Sequence, residues 1–144
     1  SDVTSILSVS DLPETIAHYQ PMVEMADVGA DNPSLMTVYD FIAGNSAAAG
    51  YISGEKSEIR DVNNVVVTLS KDGETLHEGK GSDAMGNQSE AALWLINQLV
   101  AQGYTLKSGQ ILMTGSLGRV NMNTEPGQFT ADFGNFGQIE FEIQ

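Results

Sequence analysis

Residues 79–136 read GKGSDAMGNQSEAALWLINQLVAQGYTLKSGQILMTGSLGRVNMNTEPGQFTADFGNF, and this stretch decides the fold. A glycine-rich turn feeds an amphipathic helix. Asn87 is a good N-cap, and Glu90 stands where a capping residue can return a bond. Ala92, Leu95, Ile96, Leu99 and Val100 recur at helical spacing. Gly103 sits where a glycine ends a helix. A short loop leads to a predicted strand over 111–113 that ends in Thr114-Gly115-Ser116-Leu117. The chain then closes as a hairpin. Phe129, Ala131 and Phe133 alternate with Thr130 and Asp132, and Ile139, Phe141 and Ile143 alternate with Glu140 and Glu142. That pattern puts one apolar face on a core and one acidic face in water.

Working outward, Pro13 and Glu14 suit the first turn of a short helix capped by Ser10 or Asp11. Residues 21–28 read as a strand in which Glu24 lies on the opposite face from Val23 and Met25. By spacing alone a solvated glutamate ranks ahead of a metal ligand. Asn32-Pro33 opens a helix over 34–42 with Leu35, Val38, Tyr39 and Ile42 as its apolar residues. Strands are expected over 49–53 and 65–69, and Lys71-Asp72-Gly73 signals a hairpin whose second strand is 74–78. His77 is expected in solvent on that hairpin, and His18 on the outer or end face of its helix. Neither histidine has a second one at ligand spacing. About seven strands and about three helices make an α+β domain.

Gly79, Gly81 and Gly86 stand between a strand and a helix, as in phosphate-binding loops. Ala84 occupies the place of the third glycine in a dinucleotide fingerprint, and Asn87-Gln88 replaces the lysine and hydroxyl residue of a P-loop. Nucleotide binding is therefore rejected. Thr114-Gly115-Ser116 is by itself a polar turn at a strand end.

The 144 residues are the size of one domain. Nineteen acidic against six basic residues give a net charge of −13, which argues against nucleic acid and anionic membrane as partners. The chain has no cysteine, so disulfides and thiolate metal sites are excluded, and a reducing cytoplasm suits it. No apolar run approaches a membrane span.

Three segments, GKGSDAMGN, ALWLINQLVAQGYTLKSGQILMTGSL and EPGQFTADFGNFGQIEF, resemble in order and spacing the fumarylacetoacetase superfamily. The likeness is to its branch of 2-keto-4-pentenoate hydratases and 4-oxalocrotonate decarboxylases. The resemblance implies a mixed, largely antiparallel β-roll with a packed amphipathic helix. It implies that residues 1–144 form a single C-terminal domain without the family's N-terminal segment. It carries a metal-ligand role onto Glu24 and substrate contacts onto Thr114, Gly115, Ser116 and Asn45. Magnesium or manganese is the implied cofactor, and a small 2-keto carboxylic acid the implied partner. A homo-oligomer is expected.

The chain departs from the family's pattern at Gly44, where an aspartate is usual, at Ala47, where a serine is usual, and in the loop 118–125. The family's Glu-x-Glu pair, which supplies the other two metal carboxylates, has no counterpart in order here. Glu140-Phe141-Glu142 has the spacing but lies in the last strand. Metal binding by this chain alone is thus expected to be weak. The activity implied is hydration of a 2-hydroxy-dienoate, with a decarboxylase of the same branch not separated by these motifs. The alternative is a non-catalytic module of the same fold that binds a small acid or another protein.

Overall fold

The β-branched run near 65–69 and the alternating C-terminal segment build one sheet. The computed structural model describes residues 1–58, 61–121 and 125–144. β3 (Val66–Lys71), β4 (Glu74–Lys80), β5 (Gly127–Asp132) and β6 (Gln138–Ile143) form a four-stranded antiparallel sheet in the order β4-β3-β5-β6. β1 (Met22–Ala26) and β2 (Ala48–Ser53) pair antiparallel as a separate ribbon. Asp72 (φ +50°) and Gly73 (φ +85°) make the two-residue turn between β3 and β4, which matches the twist of the strands it joins.

The core sits between the sheets. Val67, Ala131, Phe133, Phe136 and Ile139 are buried, and Val23 of β1 and Ile52 of β2 pack against them. Pro21 is fully buried. Its ring lies where a side chain on Gly54 or Gly137 would have to go, and Ile139 closes the same space. Phe129 stacks on its cross-strand partner Phe141, with ring centroids 5.2 Å apart.

The other helices are α1 (Leu12–Thr15), α2 (Val38–Ala43) and α3 (Gln88–Ala101). α3 starts as expected: the Asn87 side chain accepts from the Ser89 and Glu90 N–H groups. The return bond from Glu90 does not form. Glu90 stays in solvent beside the positive helix end. Gly103 (φ +86°) ends the helix, with Gly103 N–H on the Val100 carbonyl and Tyr104 N–H on that of Leu99. The buried stripe is Gln88, Ala91, Ala92 and Ile96, while Leu95, Leu99 and Val100 are half-buried. Asn97 clamps the N-terminal lead-in, accepting from Leu7 N–H and donating to Leu7 C=O.

Several expectations are corrected. Residues 111–113 form no strand, because they run along a cavity wall and meet no ladder partner among the described residues. Among the described residues six strands form, where about seven were expected. The helix over 34–42 divides into a 3₁₀ turn, Pro33–Leu35, and α2, because Thr37 caps a new start with Asp40. Its apolar residues are not buried: Leu35, Val38, Tyr39 and Ile42 are all exposed. Within the divergent loop 118–125, residues 122–124 lie outside the described residues. Among the described residues, no helix is long and apolar enough to cross a membrane.

Candidate functional site

Thr114 and Gly115 form part of the wall of a cavity of about 410 Å³. The segment that carries them is held from two sides. On one side is α3. Gln88, on its first turn, is a buried polar residue, 6 % exposed. Its Nε2 donates to the Gly81 carbonyl at 2.7 Å, and its Oε1 accepts from Thr114 Oγ1. Its backbone N–H donates to Asn63 Oδ1 at 2.8 Å. On the other side is β4. The His77 ring nitrogen Nε2 lies 3.1 Å from the Leu117 carbonyl and accepts from Arg119 N–H at 3.1 Å.

This corrects the solvent-facing placement of His77. Its ring is half-buried and packs where a side chain on Gly118 would lie. Gly79 and Gly81 are explained by the same packing. A Cβ on Gly79 would fall 2.0 Å from the Leu117 carbonyl oxygen, and one on Gly81 1.9 Å from that of Val62. These glycines allow backbone segments to touch, with no phosphate required.

His18 is also relocated. α1 stops at Thr15, so His18 lies beyond the helix on the cavity wall, with Glu14 and Tyr19. The wall thereby gains an imidazole, the side chain best suited to proton transfer. Sequence spacing could not find it, since about a hundred residues separate it from Thr114. Gln88 did leave a signal: with Ala92 and Ile96 it continues the buried stripe at four-residue intervals.

The remaining expected site residues do not reach this wall. Ser116 is exposed and its Oγ donates to the Gly118 carbonyl at 3.3 Å. Asn45 (φ +55°) lies between α2 and β2, with Nδ2 donating to the Ala48 carbonyl. Ala47 is buried and its carbonyl accepts from Asp27 N–H, a packing role as its sequence suggested.

Glu24 is exposed at the centre of β1, opposite Tyr51. It shares a strand face with Met22, which does line the cavity, so its backbone lies about 7 Å farther along the strand. Among the described residues its carboxylate has no hydrogen-bond or ion-pair partner. Nor do any three histidine or acidic side chains among them lie close enough to hold a metal ion. Glu140 and Glu142 are on the edge strand of the other sheet. One glutamate without neighbouring acids is too poor a donor set to fit magnesium, which needs further oxygens in an octahedral array.

No family model matches the chain. The 2-keto-4-pentenoate hydratase of Paraburkholderia phymatum is 32% identical over 104 residues, covering 70% of this chain and 40% of that protein. That of Burkholderia vietnamiensis is 30% identical over the same length. This chain resembles the 2-keto-4-pentenoate hydratase branch. A 2-oxo-hept-4-ene-1,7-dioate hydratase of Escherichia coli is 28% identical across 83% of this chain and 48% of its own length. A 4-oxalocrotonate decarboxylase from Pseudomonas putida, solved with magnesium and adipate, shares the fold at a TM-score of 0.80 and 22% identity. It matches 92% of this chain and 51% of its own. The chain thus spans about half the length, or less, of the hydratases and the decarboxylase that it resembles. The observed fold is the α+β arrangement expected, with both sheets wholly antiparallel.

Proposed function

We propose that the cavity bordered by Thr114 and Gly115 takes a small 2-keto carboxylic acid or its 2-hydroxy-dienoate tautomer, and that the chain is the substrate-binding part of a hydratase. The reaction is addition of water to the dienoate, giving a 4-hydroxy-2-keto acid. The observation that carries this reading is the position of Thr114-Gly115, onto which the hydratase resemblance carries substrate contacts, on the wall of the cavity. Residues 1–144 act as one domain in this reading. Ser116 and Asn45 approach the ligand only if their loops shift.

Glu24 contributes one carboxylate toward a divalent metal, and the remaining donors come from outside these residues, from another segment or another chain. Calorimetric titration of the purified chain with magnesium or manganese, with and without oxalate, tests this. Oxalate-dependent binding lost in Glu24→Ala supports the reading. Binding that survives Glu24→Ala removes Glu24 from the reading, and absence of binding with oxalate present means that the site needs the outside donors or that the module is non-catalytic.

A second reading is a non-catalytic binding module. It is favoured by the lack of three clustered acids among the described residues. A hydratase assay separates the two, and a decarboxylase assay addresses the likeness to the solved decarboxylase. The chain also self-associates as a homo-oligomer in this proposal, supported by the exposed apolar face of Leu35, Val38, Tyr39 and Ile42. A sedimentation coefficient that does not change with concentration and matches a monomer rejects that part.

A further inference from the structure

The hydrogen-bond chain behind Thr114 has a fixed polarity. The Gly81 carbonyl can only accept, so the Gln88 atom 2.7 Å from it is the amide nitrogen. The other end of that amide is then its carbonyl oxygen, which also can only accept. The Thr114 hydroxyl that meets it must therefore donate its one proton inward. What Thr114 can still offer toward the cavity is a pair of oxygen lone pairs. The arrangement cannot easily invert. Gln88 is buried, its backbone is tied to Asn63, and Gly81 is wedged against Val62 with no room to turn.

We propose that Gln88 is a positioning residue that makes Thr114 an obligate hydrogen-bond acceptor, so the cavity prefers a 2-hydroxy carboxylate over the matching 2-oxo acid. This rests on the reading of the cavity as an acid-binding site and deepens it. A 2-hydroxy acid, enol or alcohol, presents an O–H to the Thr114 oxygen. A 2-oxo group would set lone pairs against lone pairs and leave an unmet acceptor on each side. The same polarity turns the ligand's carboxylate away from Thr114.

Lactate and pyruvate test the idea, because they have the same charge and nearly the same size and differ at the 2-oxygen. Binding is followed through the amide NMR resonances of Thr114 and Gly115. Lactate, in one enantiomer at least, should bind about five- to thirtyfold more tightly than pyruvate. Thr114→Ser should keep that ratio, and Thr114→Val should bring it close to unity without weakening pyruvate. Gln88→Met frees the hydroxyl to donate and should also narrow the ratio. Should Gln88→Met not fold, the two Thr114 variants decide the matter. Equal binding of the two acids, or tighter pyruvate, overturns the preference while leaving the site reading intact. Failure of both acids to shift either resonance at millimolar concentration overturns the site reading and the preference together.

Discussion

Gly79 and Gly81 show how single positions hold the site together. Their missing side chains let β4 and the turn after it touch the backbone at Leu117 and Val62. Gly81→Ala should therefore destabilise the protein by about 2–4 kcal/mol, since backbone rather than a flexible side chain must give way. Gly86 (φ +80°) faces open space, so Gly86→Ala should cost only about 1–2 kcal/mol, the strain of a left-handed alanine. Urea unfolding of the two variants measures the difference. Equal small effects would remove close packing as the reason for Gly81. The glycine pattern was visible in the sequence, and so was its failure to match a phosphate loop. The backbone segments that crowd it were not, because Leu117 lies 38 residues after Gly79 and Val62 lies 19 residues before Gly81.

α3 is the element on which sequence and structure agree best. Its cap, its terminating glycine and most of its apolar face are local features, fixed by neighbours within a few residues. Its attachment is not local. The Asn97 carboxamide satisfies both backbone groups of Leu7. Asn97→Ala leaves that N–H and C=O unpaired in a half-buried position and should cost about 1–3 kcal/mol by urea unfolding. A cost near zero would mean that water replaces the side chain. α2 makes a contrasting case. Its start is held by the Asp40 carboxylate, which accepts from the Thr37 hydroxyl and N–H. Those bonds, the hydroxyl first, lower the Asp40 pKa below 3.8. A lowered folded-state pKa means that the stabilisation is present above the unfolded value of 3.8 and is lost as pH falls through the lower folded value. As pH falls through that range the amides of α2 should lose hydrogen-exchange protection in the unaltered protein, whereas Asp40→Asn, less protected at neutral pH, should show no such step. Identical profiles would argue against the cap. The apolar spacing of residues 34–42 suggested a buried face, but the face is exposed. Periodicity reports that a helix has two faces and does not report what, if anything, covers one of them.

At the scale of the whole molecule, charge is the dominant feature. With 19 acidic and six basic side chains, the surface repels itself, and ion pairs such as Lys71–Glu125 and Lys107–Asp2 offset little of this. Salt should screen the repulsion. The melting temperature should rise by a few degrees between about 10 mM and about 150 mM sodium chloride, over which the Debye length falls from about 30 Å to about 8 Å. A falling melting temperature would show that attractive pairs outweigh the repulsion. The separation of the β1–β2 ribbon from the four-stranded sheet also belongs to this scale. It puts Glu24 on the exposed face of β1, away from the wall that carries Thr114.

By itself the sequence determined the class of fold, the helix α3 with both its ends, the hairpins at Asp72-Gly73 and at the C-terminus, and the resemblance that the relatives bear out. All of these depend on short-range periodicity, turn geometry and motif order. Only the tertiary structure decided that His18 and Thr114 share one cavity, that Gln88 locks the Thr114 hydroxyl, that His77 holds the turn after it, and that residues 111–113 are wall rather than strand. Those facts depend on which distant backbone segment comes to lie against a given side chain. Spacing along a chain carries no record of that once the contact spans tens of residues.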